Sequence, residues 1–352
     1  MGREYQKNNS TRDKHSNTAS VGTRIIDSDE AGMRLDRWFK LHFSGLAFGQ
    51  LQKLLRSGQI RINGGRVKSD TRIATGQQVR IPPALSQMGA QQTNTIGRHL
   101  TSNTIRDRHD VDVLRAMMLH EDEKVFVFNK PAGLAVQGGS GLNRHVDKML
   151  EAMRSKKGEK PRLVHRLDRD TSGVLVVAKT RGAAAALTKS FRHRETQKTY
   201  WAIVKGVPRK KEGGISEYMV KEHTPDGDRM RIASHGERGA DHSQTNYRVI
   251  EQSGQNLSWL ELQPISGRTH QLRVHTAHIG FPIIGDNKYF NIENWALPGG
   301  IQNRLHLHAR NIKIPHPSGG TLDITAPLPP HIVQTFNLLG FEEADAGEEE
   351  EV

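Results

Sequence analysis

The chain contains no cysteine. That excludes a disulfide scaffold, thiolate zinc sites, cysteine nucleophiles and iron–sulfur clusters, and it fits a reducing, cytoplasmic setting. Long apolar runs are missing too. Nothing approaches the roughly 18 consecutive apolar residues of a membrane helix, so no membrane partner is expected. The first twenty residues lack the apolar stretch of a signal peptide, and Gln6 stands where a myristoylation signal wants Ser or Thr. The glycine-rich run Gly138-Gly139-Ser140-Gly141 is not followed by Gly-Lys-Ser/Thr, which excludes a Walker phosphate loop. The 18 histidines fall into no His-Glu-x-x-His or other paired ligand spacing, so no metal site is expected.

Acidic residues are scarce over most of the 352 positions. There are 51 Lys+Arg against 38 Asp+Glu, for a net charge of +13. Seven of the acids (Glu342, Glu343, Asp345 and Glu348 to Glu351) sit at the extreme C-terminus, so residues 1–341 carry +20. A basic body of this size points to a polyanion, most often nucleic acid; a solvated basic surface is the plain alternative.

Five regions emerge along the chain. Residues 1–20 show no hydrophobic period and read as a disordered tail. Residues 21–83 form a small basic α/β module. Leu35, Trp38, Phe39 and Leu41 keep helical spacing; Leu51, Leu54 and Leu55 mark a second helix over Gln50–Ser57, stopped by Gly58. Asn63-Gly64 between apolar and basic residues predicts a hairpin, and Val79-Arg80-Ile81 closes the unit. Residues 34–80 alone carry +8. Residues 84–112, rich in Gln, Thr, Asn and Ser, read as a linker. Residues 113–335 alternate many strand candidates with few helices. The strands are Val125–Phe128, Val174–Ala178, Lys198–Gly206, Thr245–Ile250, Leu257–Leu262, His306–Ile314 and Thr321–Ala326. Helices are expected over Leu142–Ser155, from the Ala-rich run 183–187 to Phe191, and towards Ile279. Such a pattern predicts an α+β fold with a mixed, largely antiparallel sheet, not a doubly wound one. Residues 336–352 read as a self-repelling acidic tail.

The chemistry concentrates between two apolar runs, in His165-Arg166-Leu167-Asp168-Arg169-Asp170-Thr171-Ser172-Gly173. A lone loop aspartate is ordinarily a cap or an ion-pair partner. Asp168, however, sits among cations in a tight turn into a buried strand. A buried carboxylate held by hydrogen bonds and a cation stays ionised, as a nucleophile must. Tyr200 belongs to a strand and could equally be a core aromatic. His165 and His270 read as loop-orienting residues.

Three stretches together resemble the RluA-type pseudouridine synthases. The first is the His165–Gly173 segment. The second is Lys198-Thr199-Tyr200-Trp201-Ala202. The third is Ser266-Gly267-Arg268-Thr269-His270-Gln271-Leu272-Arg273-Val274-His275, followed by Gly280-Phe281-Pro282-Ile283-Ile284-Gly285-Asp286. The resemblance implies the pseudouridine synthase fold and a catalytic set of Asp168 as nucleophile, Tyr200 beneath the target base and Arg273 paired with the aspartate. It also implies that Arg166 fills the stack vacated by a flipped base, that Leu272 packs on the base edge, and that Arg268 and His270 contact RNA. The reaction is an isomerisation, which needs no cofactor. Met33-Arg34-Leu35-Asp36, Leu54-Leu55-Arg56-Ser57-Gly58-Gln59-Ile60 and Ile62-Asn63-Gly64-Gly65-Arg66-Val67 resemble the S4 RNA-binding module, which implies phosphate contacts from Arg34, Arg37, Arg56, Arg61, Arg66 and Lys68. Within the family the pattern is most similar to the C-type synthases of bacterial large-subunit (23S) ribosomal RNA. The D-type is an alternative, and so is a non-catalytic S4-domain factor in ribosome assembly. The expected partner is ribosomal RNA, with no small-molecule cofactor, and the expected state is a monomer.

Overall fold

The computed structural model describes residues 22–26, 30–43, 45–83, 85, 104–138, 144–155, 158–224, 227–290 and 295–347. The expectations for the tail 1–20, for most of the linker, for Gly139–Leu142 and for Glu348–Glu351 lie outside them. The chain divides into two compact units, Met1–Thr104 and Ile105–Val352.

The first unit holds β1 (Gly22–Ile25), α1 (Leu35–His42), α2 (Phe48–Arg56), β2 (Arg61–Ile62) and β3 (Gln78–Ile81), with the strands in the antiparallel order β1-β3-β2. The helical spacing is realised: Leu35, Trp38 and Phe39 are fully buried and pack with Leu51, Leu55, Ile60 and Val79. At the predicted hairpin, Asn63 and Gly64 both take positive φ, 47° and 78°, as a type I′ turn requires. The ladder between its arms is one bridge, Ile62 to Gly65. The reason is competition. β2 takes its two-residue ladder from β3, extended by Asn63, which exchanges both a backbone and a side-chain bond with Gln78, so Arg66 and Val67 leave the sheet.

The second unit contains α3 (Thr104–Ala116), β4 (Met118–Glu121), β5 (Val125–Lys130), α4 (Val146–Met149), β6 (Arg162–Leu163), β7 (Ser172–Ala178), α5 (Arg181–Arg192), β8 (Gln197–Lys205), β9 (Glu212–Thr224), β10 (Gly227–Ala233), β11 (Asp241–Ser253), β12 (Leu257–Pro264), α6 (Gln271–His278), β13 (Leu307–Pro315), β14 (Thr321–Thr325) and α7 (Pro330–Leu339). Eleven strands form one mixed sheet. Its main path is β10-β9-β11-β12-β8-β13-β7-β5-β4, with β14 on β13 and β6 on β7. Among the described strands one pairing is parallel, β13 with β7, where His308 faces Ser172 and Ala309 faces Gly173. Gly173 has φ +109°, and a Cβ there would overlap the Ala309 carbonyl, so this junction admits only glycine.

Several expectations need correction. α3 begins at Thr104, inside the stretch read as linker; Leu114 buries it against Phe126 and Phe128. The hairpin β9–β10 went unforeseen. Of the helix expected over Leu142–Ser155, the described part is α4 plus a single 3-10 turn, Leu150–Met153. The acidic tail does not start at 336. α7 runs to Leu339, Phe336 and Phe341 pack on Trp201 and Trp259, and a 3-10 turn spans Glu343–Gly347. Glu343 pairs with Arg310, whose guanidinium lies 4.3 Å from the Trp201 ring centre. Apolar burial of the two phenylalanines outweighs the repulsion among the first acids.

Candidate active site

The centre of the large sheet opens into a cavity of about 530 Å³. The loop from β6 to β7 supplies its floor: His165, Arg166, Leu167, Asp168 and Thr171. This loop is held from below. Lys130, a fully buried lysine at the end of β5, donates from Nζ to the carbonyls of Pro131 (2.9 Å), Leu134 (2.8 Å) and Arg169 (3.0 Å). Burial pulls its pKa down to about 7, with Asp170 and Asp168 opposing that shift. His165 accepts the Val176 N–H at Nε2 (2.8 Å) and stacks on Phe191. Burial drives its pKa down to about 3, with Lys198 adding to the shift, so it is a neutral loop anchor. Ser172 bonds His308 Nδ1 at 2.9 Å across the parallel junction, while His308 Nε2 faces the Ala326 carbonyl at 3.3 Å. The carbonyl can only accept, so His308 carries its proton on Nε2 and Ser172 donates.

Tyr200 enters the cavity from β8. Its backbone lies between β12 and β13, opposite Leu262 and Ala309. Burial, and then the charge of Asp168, push the phenol well above its ordinary pKa, so Tyr200 is neutral and retains its proton. Lys198, on the same strand, donates to the Ser266 carbonyl at 3.2 Å, and burial followed by Arg194 lowers it to about 8.

The third wall is the loop after β12 and the first turn of α6, where six of eight helix residues are buried. A single directional hydrogen-bond chain holds this wall. The Gln244 N–H donates to Ser266 Oγ, which donates to Gln271 Oε1. Gln271 Nε2 donates to Thr245 Oγ1, which donates to His275 Nδ1. His275 Nε2 donates to Ser243 Oγ, which donates to the Glu217 carbonyl. The chain requires a neutral His275, and burial does hold its pKa near 4. Leu272 and Arg273 follow Gln271 into the cavity.

The sequence-predicted catalytic residues Asp168, Tyr200 and Arg273 all line this one cavity, as do Arg166, Arg268, His270 and Leu272. One expected contact is different. Arg273 does not pair with Asp168. Its guanidinium forms a bidentate bridge to Asp286, Nε to Oδ2 at 2.7 Å and the terminal nitrogen to Oδ1 at 2.6 Å, with both side chains buried. Asp286 also collects the N–H groups of Lys288 and Tyr289, which fix its carboxylate facing the guanidinium fork. Arg273 still senses Asp168, whose charge contributes to its raised pKa after the hydrogen bond and charge of Asp286. Among the described residues the Asp168 carboxylate accepts no hydrogen bond, and its nearest cation-capable neighbour is His270 Nε2 at 3.9 Å. The hydrogen bonds expected to hold it are therefore absent from this arrangement.

Around the rim Arg166, Arg192 and Arg194 make no ion pair among the described residues, while Arg268 reaches Asp241 at 3.2 Å. The rim is a concave cationic surface with one carboxylate at its base. In the first unit Arg37, Arg56, Arg66 and Lys68 are exposed. Arg34 is exposed but bridged to Asp36 at 2.7 Å, and Arg61 is clamped to the carbonyls of Gly58 and Gly64. Lys130, Asp286 and Tyr289 were not singled out from the sequence. For Lys130 a signal existed: a charge just beyond the apolar run Val125–Phe128.

The family profile described as RNA pseudouridylate synthase matches residues 124–278, the span that carries Asp168, Tyr200 and Arg273. Ribosomal large subunit pseudouridine synthase C of Escherichia coli (strain K12) is 35% identical over 316 residues, covering 88% of this chain and 94% of that protein. The protein of the same name from Haemophilus influenzae is 36% identical over 314 residues, covering 88% and 92%. The solved structure titled Human RNA Pseudouridylate Synthase Domain Containing 4 superposes with a TM-score of 0.57 at 30% identity, covering 68% of this chain and 98% of that one. With likeness of this extent along nearly the whole length of its relatives, the chain belongs to the RNA pseudouridylate synthases, in the RluA-type branch that its three motifs resemble.

Proposed function

We propose that this enzyme converts uridines of bacterial large-subunit ribosomal RNA to pseudouridine, with Asp168 as nucleophile and no cofactor, in the cytoplasm and as a monomer. The observation that carries the reading is the convergence of Asp168, Tyr200 and Arg273 on one cavity rimmed by arginines. The relatives named for the large ribosomal subunit supply the substrate class.

The chemistry suits these groups. The N1–C1′ bond of uridine breaks, the ring turns, a C5–C1′ bond forms, C5 loses its proton and N1 gains one. Atoms balance with no oxidant and no phosphate spent. Asp168 attacks the base or the sugar C1′, forming a covalent adduct in either case, or deprotonates the ribose, forming none. Tyr200, a neutral phenol, lies against the base and can relay the C5 proton late in the reaction. Arg273, aimed by Asp286, keeps positive charge beside the Asp168 carboxylate. The uridine must leave its helix to reach the base of the cavity; Arg166, exposed and without an ion pair among the described residues, occupies the gap in this reading, and Leu272 packs on the base edge. Arg268 and His270 face the strand. The first unit acts as an S4-like module holding RNA phosphates through Arg34, Arg37, Arg56, Arg61, Arg66 and Lys68.

The test is tritium release from 5-tritiated uridine in transcribed large-subunit ribosomal RNA. Asp168→Asn is expected to release none above background; release at the wild-type rate overturns the nucleophile. Mapping pseudouridines in ribosomal RNA from a deletion strain decides the C-type against the D-type target sites, and full retention of all sites there rejects the ribosomal substrate.

A further inference from the structure

We propose that His270 is a positioning residue for the Asp168 carboxylate and that Tyr289, outside the sequence motifs, sets the tautomer in which it does so. The proposal rests on the reading of Asp168 as nucleophile. Asp168 lies at the base of the cavity without a hydrogen bond among the described residues, and the His270 ring approaches it, Nε2 to Oδ2 at 3.9 Å. Which nitrogen of that ring bears the proton decides whether it attracts or repels the carboxylate.

The contacts behind His270 decide it. The Met230 N–H donates to Tyr289 Oη at 3.0 Å, and Tyr289 Oη lies 2.7 Å from His270 Nδ1. A phenol has one hydrogen. If Nδ1 carried the proton, Oη would accept twice and its hydrogen would have no other acceptor among the described residues. If Nδ1 is bare, Oη accepts from Met230 and donates to Nδ1, and both Oη and Nδ1 are satisfied. The ring proton then sits on Nε2, facing Asp168 as a donor.

Tyr289 is itself tied to the site. Asp286 Oδ1 accepts the N–H groups of Lys288 (2.9 Å) and Tyr289 (3.2 Å) while bridging Arg273, and the Arg273 guanidinium lies 5.1 Å from the Tyr289 ring centre. One carboxylate thus fixes both the arginine and the tyrosine. His270 takes a left-handed backbone, φ 53° and ψ 18°, which a non-glycine residue adopts only when its surroundings hold it there. At 3.9 Å the Nε2–Oδ2 separation exceeds a hydrogen bond by about 1 Å. That gap closes on the substrate-bound arrangement, as catalytic contacts in unliganded enzymes commonly do, and the bond steadies the carboxylate during attack.

The experiment compares Tyr289→Phe, His270→Gln, His270→Ala and the Tyr289→Phe/His270→Ala double variant in single-turnover tritium release, beside Asp168→Asn. Tyr289→Phe is expected to lower kcat about tenfold, the size of one well-aimed hydrogen bond, with KM little changed. His270→Gln keeps an acceptor for Tyr289 and an N–H for Asp168, so it should recover most of the rate that His270→Ala loses; that rescue separates positioning from folding. The double variant should be no slower than His270→Ala alone. Nitrogen-15 spectra of the labelled ring should show the Nε2–H tautomer in the wild type and a mixture in Tyr289→Phe. Wild-type kcat in Tyr289→Phe, or losses that add in the double variant, overturn the relay. If Asp168→Asn itself turns over normally, the nucleophile reading fails instead, and the two failures are distinct.

Discussion

Removing the Asp286 carboxylate tests whether the site is held together by the buried bridge to Arg273. Asp286 is 1% exposed and Arg273 4%. The carboxylate accepts four hydrogen bonds, two from the guanidinium and two from the backbone at Lys288 and Tyr289. Asp286→Ala leaves a buried guanidinium without its bidentate partner, with only the more distant Asp168 charge acting on it, and two N–H groups without their acceptor. Breaking a buried pair from one side costs about 3–5 kcal/mol. For a unit of this size each kcal/mol lowers Tm by about 2–4 °C, so the expected fall is roughly 6–20 °C. Tryptophan fluorescence reads it. In a Trp38→Phe background the remaining tryptophans, Trp201, Trp259 and Trp295, all lie in the second unit. The double variant Asp286→Ala/Arg273→Met removes the stranded charge and should be more stable than Asp286→Ala alone by about 2 kcal/mol. A loss below about 1 kcal/mol for Asp286→Ala, or a double variant less stable than the single, would refute the reasoning.

Other expectations follow from the same geometry. Gly173→Ala should abolish soluble expression of the folded second unit, because the new Cβ meets the Ala309 carbonyl at the parallel junction; a near-native circular dichroism melt would contradict it. Lys130→Met should lower kcat more than KM and cost about 2–4 kcal/mol, since three carbonyls lose a charged donor beneath the Asp168 loop; unchanged single-turnover rates would remove the lysine from the account. His275, His306 and His308 are held near pKa 4 chiefly by burial. Their folded values lie below that of a free histidine, so the unfolded chain takes up protons first. Stability is therefore full above about pH 6.5 and falls as pH drops towards 4, by about 1.4 kcal/mol per pH unit for each such group. Urea midpoints at about pH 7.5 and 5 measure it, and a midpoint that rises on acidification has the wrong sign. Arg66→Glu and Lys68→Glu should weaken RNA binding alike across sequences and reduce its salt slope by about one phosphate each; an unchanged slope in filter binding would exclude both as phosphate contacts.

The convergence of Asp168, Tyr200 and Arg273 on one cavity could be anticipated from the sequence because each sits in a short contiguous motif, and three motifs in order leave little room for chance. Their mutual geometry could not. Arg273 was expected on Asp168 and sits on Asp286, because pairing depends on which carboxylate a fold carries nearest, and Asp286 is reached only after the chain has turned back from α6. Tyr289 had no signature at all: its meaning comes from the Met230 N–H on β10, 59 residues earlier. The hairpin β9–β10 was invisible for a different reason. Glu212–Thr224 alternates weakly, with few buried positions, so its period is lost among charges. α7 had signals, Pro330 in its first turn and Gly340 left-handed after its last. The run of acids that follows draws the eye from Phe336 and Phe341, which carry the burial. In the first unit the turn at Asn63-Gly64 was legible locally, while the choice of β3 over Arg66–Val67 as the partner of β2 is a tertiary competition that no local pattern encodes.

The parallel junction of β7 with β13 also orders events in time. Ser172 and His308, which meet across it, are 136 residues apart in sequence. At roughly 5–20 residues per second of synthesis, about 7–27 s separate the emergence of the Asp168 loop from that of the strand that completes its wall. During that interval the nascent chain can already display its arginines, yet the carboxylate beside them has no finished cavity. Catalytic competence thus arrives with the last strands to be made, and a truncated chain ending before Leu307 would lack the strand that joins β8, bearing Tyr200, to β7, which follows the Asp168 loop.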